Sequence, residues 1–161
     1  MSTANERPRS EQPACDYDFI SNTSPKLADP HRLLIDAGLA IGVKSLTTGT
    51  NHPVLQQAAE LHAAYQADIG VQGHQNWQRR SDTLRTLLSE CNEFKECCAE
   101  SWDWNTMEQA APEMFNSWRQ SPGHWSAIDG ECSFYGYAMA LNERKNIWYA
   151  CAIFANLRDK Q

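Results

Sequence analysis

No stretch of this chain is apolar for long enough to span a bilayer, and its opening residues, MSTANERPRSEQPACDYDF, lack the apolar segment of a signal peptide. The expectation is a soluble chain without a membrane span and without an export signal of the usual kind. Basic residues are sparse as well. The net charge is −6, and Arg79 with Arg80 is the nearest thing to a basic cluster, which argues against a phosphate-binding surface and against nucleic acid as a partner. The six cysteines include no CxxC pair, which speaks against a zinc knuckle. There is no HExxH helix to hold two histidines on one face, and no internal repeat or low-complexity block.

What remains suits one domain. With 161 residues, 42% of them apolar, and six tryptophans, the chain can bury one respectable core. Residues 1–28 are polar, proline-spotted and without apolar period, so they read as an arm that cannot form a core of its own and must rest on the domain's surface or on a neighbouring subunit. The domain proper is 29–161. Cys91, Cys97 and Cys98 crowd one short region, while Cys15, Cys132 and Cys151 lie apart. A bridge from Cys91 to Cys97 or Cys98 would close the loop NEFKE in oxidising surroundings; reduced cysteines packed as small apolar residues are the equal alternative.

Asp29-Pro30 predicts a short helix to about Ala37, broken by Gly38 and Gly42. A stronger helix follows Asn51-His52-Pro53, with Val54, Leu55, Ala58, Ala59, Leu61, His62, Tyr65 and Ile69 at helical spacing and Gly70 as its stop. A third starts near Ser81, and ECCAESW suits a buried strand. In NTMEQAAPEMFNSW the capping pattern of Asn105 and Glu108 competes with Pro112, and the main helix is expected from about Pro112 to Gln120. CSFYGYAMAL and NIWYACAIFAN, joined by NERKN, signal a β-hairpin apolar on both faces. Such a sheet must be covered on both sides. The predicted fold class is α/β, a three-layer α/β/α sandwich with a mainly antiparallel central sheet.

His74, Glu100 and His124 stand out because each is polar at the edge of an apolar element. Two imidazoles and a carboxylate suit a divalent cation, zinc first, and the same trio could perform general acid–base work. Against this, His124 could cap a turn, His74 could be a solvated loop residue, and Glu100 could accept bonds from nearby amides. His62, on the apolar helix face, reads as a satisfied core histidine. His31 and His52 look local to their helix starts. Ser121 and Ser126 near His124 offer only a weak hydrolase triad, and Trp102, Trp104, Trp118, Trp125 and Trp148 read first as core.

The stretch WRQSPGHWSAI, Trp118 to Ile128, closely resembles the signature W-x-x-S-P-G-H-x-x-N-I of the CAP superfamily: cysteine-rich secretory, antigen-five and pathogenesis-related proteins, also called the SCP domain. LQQAAELHAAY resembles its A-x-x-H-A helix, CCAESW stands where the family has a G-E-N-I strand, and GYAMAL with IWYACAIFA resembles its terminal hairpin. The likeness runs from about Asp29 to Asn156. It implies a central cleft with His74, Glu100 and His124 toward a divalent metal, and with Ser121, Trp118 and Trp125 lining or supporting it; Ser121 stands where many eukaryotic members have a second glutamate. It also implies an extracellular or virion-associated setting. Three functions fit: a non-catalytic domain binding a ligand or protein partner, a metal-dependent or histidine-assisted hydrolase at the same cleft, and a structural component of a larger assembly, such as a virion, with the arm as tether to neighbouring subunits.

Overall fold

A computed structural model describes residues 17, 20, 21, 23, 26–103 and 105–158. Most of the arm therefore lies outside the described residues, as do Cys15 and Trp104. Of the arm, Tyr17 is buried and its hydroxyl donates to Ala58 O at 3.2 Å, while Ser21 O accepts from Gln57 Nε2 at 2.6 Å. Both contacts are with the chain's own body.

The elements run α1 (Asp29–Ala40), α2 (Lys44–Thr48), β1 (Thr50–Asn51), α3 (Pro53–Ile69), α4 (Trp77–Leu87), β2 (Cys91–Glu100), α5 (Met107–Arg119), α6 (Pro122–Ile128), β3 (Phe134–Asn142) and β4 (Ile147–Leu157). The helix with the clearest punctuation forms as expected. Pro53 occupies the first turn of α3, His52 Nδ1 accepts the Val54 N–H at 3.1 Å, and Gly70 closes the helix at φ 69 in the left-handed region. The hairpin β3–β4 also forms, paired antiparallel from Phe134↔Ala155 to Asn142↔Ile147.

Period-two alternation sends neighbouring strand residues to opposite faces. Tyr135, Tyr137, Met139, Ala150, Ala152 and Phe154 join Leu34, Ile35, Met114, Phe115 and Trp118 in one buried cluster. Ala138, Cys151, Ile153 and Ala155 join Val54, Leu55, Ala58, Ala59, Ala63 and Leu84 in another. Small residues dominate the second contact, and the closest approach is at Gly136, where a Cβ would collide with the backbone carbonyl of Leu55. Only glycine lets α3 lie that near the sheet.

Several expectations need correction. The sheet is open and four-stranded in the order β1-β3-β4-β2, and it is mixed, because β1 pairs parallel with β3 at Thr50↔Phe134 and Asn51↔Tyr135. A two-residue strand carries no periodicity, so nothing in the sequence announced it. Gly38 does not break α1; it is buried inside the helix, where a Cβ would collide with the Leu46 and Phe115 side chains. The main helix α5 starts at Met107, not at Pro112. A capping box between Thr106 and Gln109 satisfies two first-turn amides and outweighs the single bond that the internal Pro112 forgoes.

NEFKE is strand rather than loop: it lies within β2, whose pairing with β4 shifts register between Asn92 and Lys95, with Glu93 at φ 57. That bulge hid the alternation. It also disposes of the Cys91 bridge, since Cys91 and Cys97 sit about 20 Å apart along an extended strand, and the five described cysteines are free.

Candidate functional site at the edge strand

Strand β2 is the sheet's edge, and the side chains clustered around it make up the site. Glu96 has its carboxylate fully buried. The guanidinium of Arg80, itself 3% exposed, grips it as a fork, Nη1 to Oε2 and Nη2 to Oε1 at 2.9 Å. Arg80 is fixed in turn by its Nε donating to Gln75 O at 2.9 Å and by Trp77, whose ring centroid lies 5.2 Å from the guanidinium carbon.

His74, with a half-exposed side chain, sets Nδ1 2.9 Å from Glu96 Oε1. A carboxylate only accepts, so Nδ1 carries a proton and Nε2 is the nitrogen left without a part in this contact. Behind it, His62 is wholly buried with Nε2 2.7 Å from Gly73 O, which places its proton on Nε2. His62 Nδ1 is then a buried acceptor without a hydrogen-bond partner among the described residues. Cys98 completes the group: its thiol lies 3.3 Å from Gly73 O and 3.9 Å from His74 Nδ1. The potential ligand atoms of His62, Glu96 and Cys98 all fall within 4.8 Å of one another. A nitrogen, a carboxylate oxygen and a thiol at that spacing could hold a metal ion.

The electrostatics follow from those contacts. Burial alone would raise the Glu96 carboxyl, but hydrogen bonds from His74 and Arg80, with the charge of the Arg80 guanidinium, bring it down to about 2. His74 is raised to about 10 by its hydrogen bonds to Cys98 and Glu96, which outweigh its burial. Burial also opposes charge on Cys98, yet the neighbouring Cys151 and the histidines beside it hold its thiol below the ordinary value.

One consequence is measurable. A carboxyl that titrates at 4.5 when unfolded and about 2 when folded supplies roughly 3 kcal/mol of stability. The sign is that of a depressed acid: the contribution is complete above pH 4.5 and drains away as pH falls toward 2. Unfolding free energies followed from pH 6 to 2.5 should therefore decline more steeply in the wild type than in Glu96→Gln. Parallel curves would show that Glu96 is not held ionised.

The residues singled out from the sequence fall as follows. His74 and His124 are brought together, ring centroids 6.5 Å apart. Glu100 is not with them: it is exposed at the far end of β2, about 13 Å along the strand from Glu96, lining a depression of about 600 Å³ with Trp102, Glu113 and Ser117. Trp118 is fully buried, so it supports the site from beneath, donating Nε1–H to Cys98 O at 3.0 Å. Trp125 is half-buried under the Arg119 guanidinium, whose carbon lies 4.8 Å from the ring centroid. Ser121 is the cap residue of α6 without a side-chain cap bond. Ser-Pro-Gly is thus no reverse turn; Pro122 opens a seven-residue helix and His124 sits in its first turn.

Glu96, Arg80, Cys98 and His62 complete the site, and the sequence reading did not nominate them. Period two gave one usable signal, because Glu96, Cys98 and Glu100 must share a face of the strand.

The architecture is that of an α/β protein with an open mixed sheet and a histidine–carboxylate group on its edge strand. Among solved structures it is similar to an outer surface protein from Borrelia burgdorferi, with a TM-score of 0.60 and 15% identity over 86% of this chain and 100% of that one. At that identity the likeness speaks for the fold. No family model matches the sequence, and no curated protein matches it.

Proposed function

We propose that this chain is a CAP/SCP-like binding domain, an α/β/α sandwich in which His74 and His124 hold a divalent cation, zinc first, at the edge-strand cleft, and that the domain acts by binding a ligand or partner rather than by catalysis. The observation that carries the reading is the nearness of the His74 and His124 rings while Glu96 accepts a hydrogen bond from Nδ1–H of His74. A carboxylate behind a histidine holds the ring's orientation and leaves Nε2 for a cation, which takes the place of that nitrogen's proton, the arrangement common behind metal-bound imidazoles. The buried group of His62, Glu96 and Cys98 is the poorer cation site, because the Arg80 guanidinium already neutralises Glu96 there. The motif SPGH and the likeness to an outer surface protein support a domain working outside the cell.

Zinc titrated into the purified chain and followed by calorimetry should bind one-to-one, and His74→Ala combined with His124→Ala should abolish the heat. Cys98→Ser should leave it unchanged. Absence of heat in the wild type rejects the reading. Binding that survives the double substitution but disappears in Cys98→Ser moves the cation to the buried group.

A further inference from the structure

Cys98 and Cys151 face each other directly across the β2–β4 pair. Whether they can bridge depends on which kind of antiparallel position they occupy. In such a pair a residue's N–H and C=O point the same way, alternately toward the partner strand and away from it. Cys98 O is taken by Trp118 Nε1 of α5, so its backbone points off the sheet's edge, away from β4. An independent contact agrees. Ser101 N–H donates to Trp148 O at 2.8 Å, one step beyond the Glu100↔Tyr149 pair, and counting back alternately makes Cys98↔Cys151 a pair without backbone bonds. There the opposed Cα atoms come to about 4.5 Å and the side chains approach most closely, inside the roughly 4.4–6.8 Å that a disulfide spans.

Both side chains lie on the α3 side of the sheet, in one buried cluster. Cys97 turns to the other face, Cys91 stands opposite Leu157, and the thiol of Cys132 lies by Ser45 O. Among the described cysteines, then, Cys98 and Cys151 are the two whose strand positions match a bridge. The Cys98 sulfur has His74, half open to solvent, at 3.9 Å, and the Cys151 thiol donates to Glu96 Oε2 at 3.4 Å.

We propose that Cys98 and Cys151 form a redox-active dithiol that peroxide closes to a disulfide beside His74. The Cys98 sulfur attacks one peroxide oxygen, the O–O bond breaks, one water leaves and Cys98 becomes a sulfenic acid. The Cys151 sulfur then attacks the Cys98 sulfur, the S–O bond breaks, a second water leaves and the S–S bond forms. In total two thiols give two electrons and two protons to one hydrogen peroxide, yielding two waters. This inference does not rest on cation binding, although His74 is common to both.

The test uses the full reduced chain, treated with hydrogen peroxide, alkylated and mapped by peptide mass without reduction. A peptide pair joined through Cys98 and Cys151, lighter by two hydrogens and reopened by dithiothreitol, is expected. In Cys151→Ser the reaction should stop at a sulfenic acid on Cys98 that dimedone traps, and in Cys98→Ser no adduct should form at Cys151. The wild-type map decides the matter even if a variant fails to fold. Bridges made only by Cys15, Cys91, Cys97 or Cys132, or full alkylation of Cys98 and Cys151 after peroxide treatment, would overturn the assignment.

Discussion

Replacing Arg80 with methionine should lower the unfolding free energy by about 3–5 kcal/mol, because it strands the buried carboxylate of Glu96 without its main counter-charge. The guanidinium supplies two of the carboxylate's bonds and also donates to Gln75 O and to the Tyr17 hydroxyl at 3.3 Å. His74, whose side chain is half open to water, and the weak thiol donor of Cys151 are then left to Glu96. Arg80→Lys should fall between, since an ammonium keeps the charge but loses the planar fork. The double variant Arg80→Met with Glu96→Leu is the informative one: with both charges gone and the volume kept apolar, most of the lost stability should return. Urea unfolding of the three variants measures this. A cost below about 1 kcal/mol for Arg80→Met, or a double variant no better than the single, would mean that the pair does not hold the edge strand in place.

Arg80 shows why part of the site was illegible. In QRRSD it looks like any residue on a solvated helical face, and no local pattern distinguishes it from its neighbour Arg79; only the chain's return at β2 supplies the carboxylate that draws it inward. Glu96 was hidden differently. The run NEFKE is charged and interrupted by a bulge, so it imitates a loop, and with the strand's first half unread Glu100 was the visible acid of ECCAESW. Period two puts both glutamates on one face, and tertiary contact alone chooses between them. By contrast α3 and the hairpin were readable because their signals are local: Pro53 and Gly70 bracket the helix, and the aromatic alternation of FYGYAM and IWYACAIF fixes strands with two buried faces. The SPGH stretch lay between these cases. Its histidine lies beside His74, ring centroids 6.5 Å apart, but Pro122 at a helix start and Pro122 in a reverse turn look alike from sequence.

Trp118→Ala should cost a further large amount, about 3–5 kcal/mol, and its effect should concentrate at the edge strand. The side chain is fully buried, edge-on to Phe115 with ring centroids 5.2 Å apart and to Tyr137 at 6.2 Å, so its removal opens a cavity between α5 and the sheet. It also withdraws the one side-chain donor that, among the described residues, meets Cys98 O on the outer side of β2. Trp118→Phe separates the two contributions: it keeps most of the packing and deletes the donor, leaving a carbonyl unpaired at a cost of about 1–3 kcal/mol. Hydrogen exchange should then distinguish them by place. In the alanine variant protection should fall in α5 as well as β2, because the helix loses its anchor; in the phenylalanine variant the loss should stay near Cys98, close to His74 and Glu96, where the strand carries the site. If both variants loosened the whole chain equally, Trp118 would be an ordinary core residue, and the edge of the sheet would owe its order to something other than the indole beneath it.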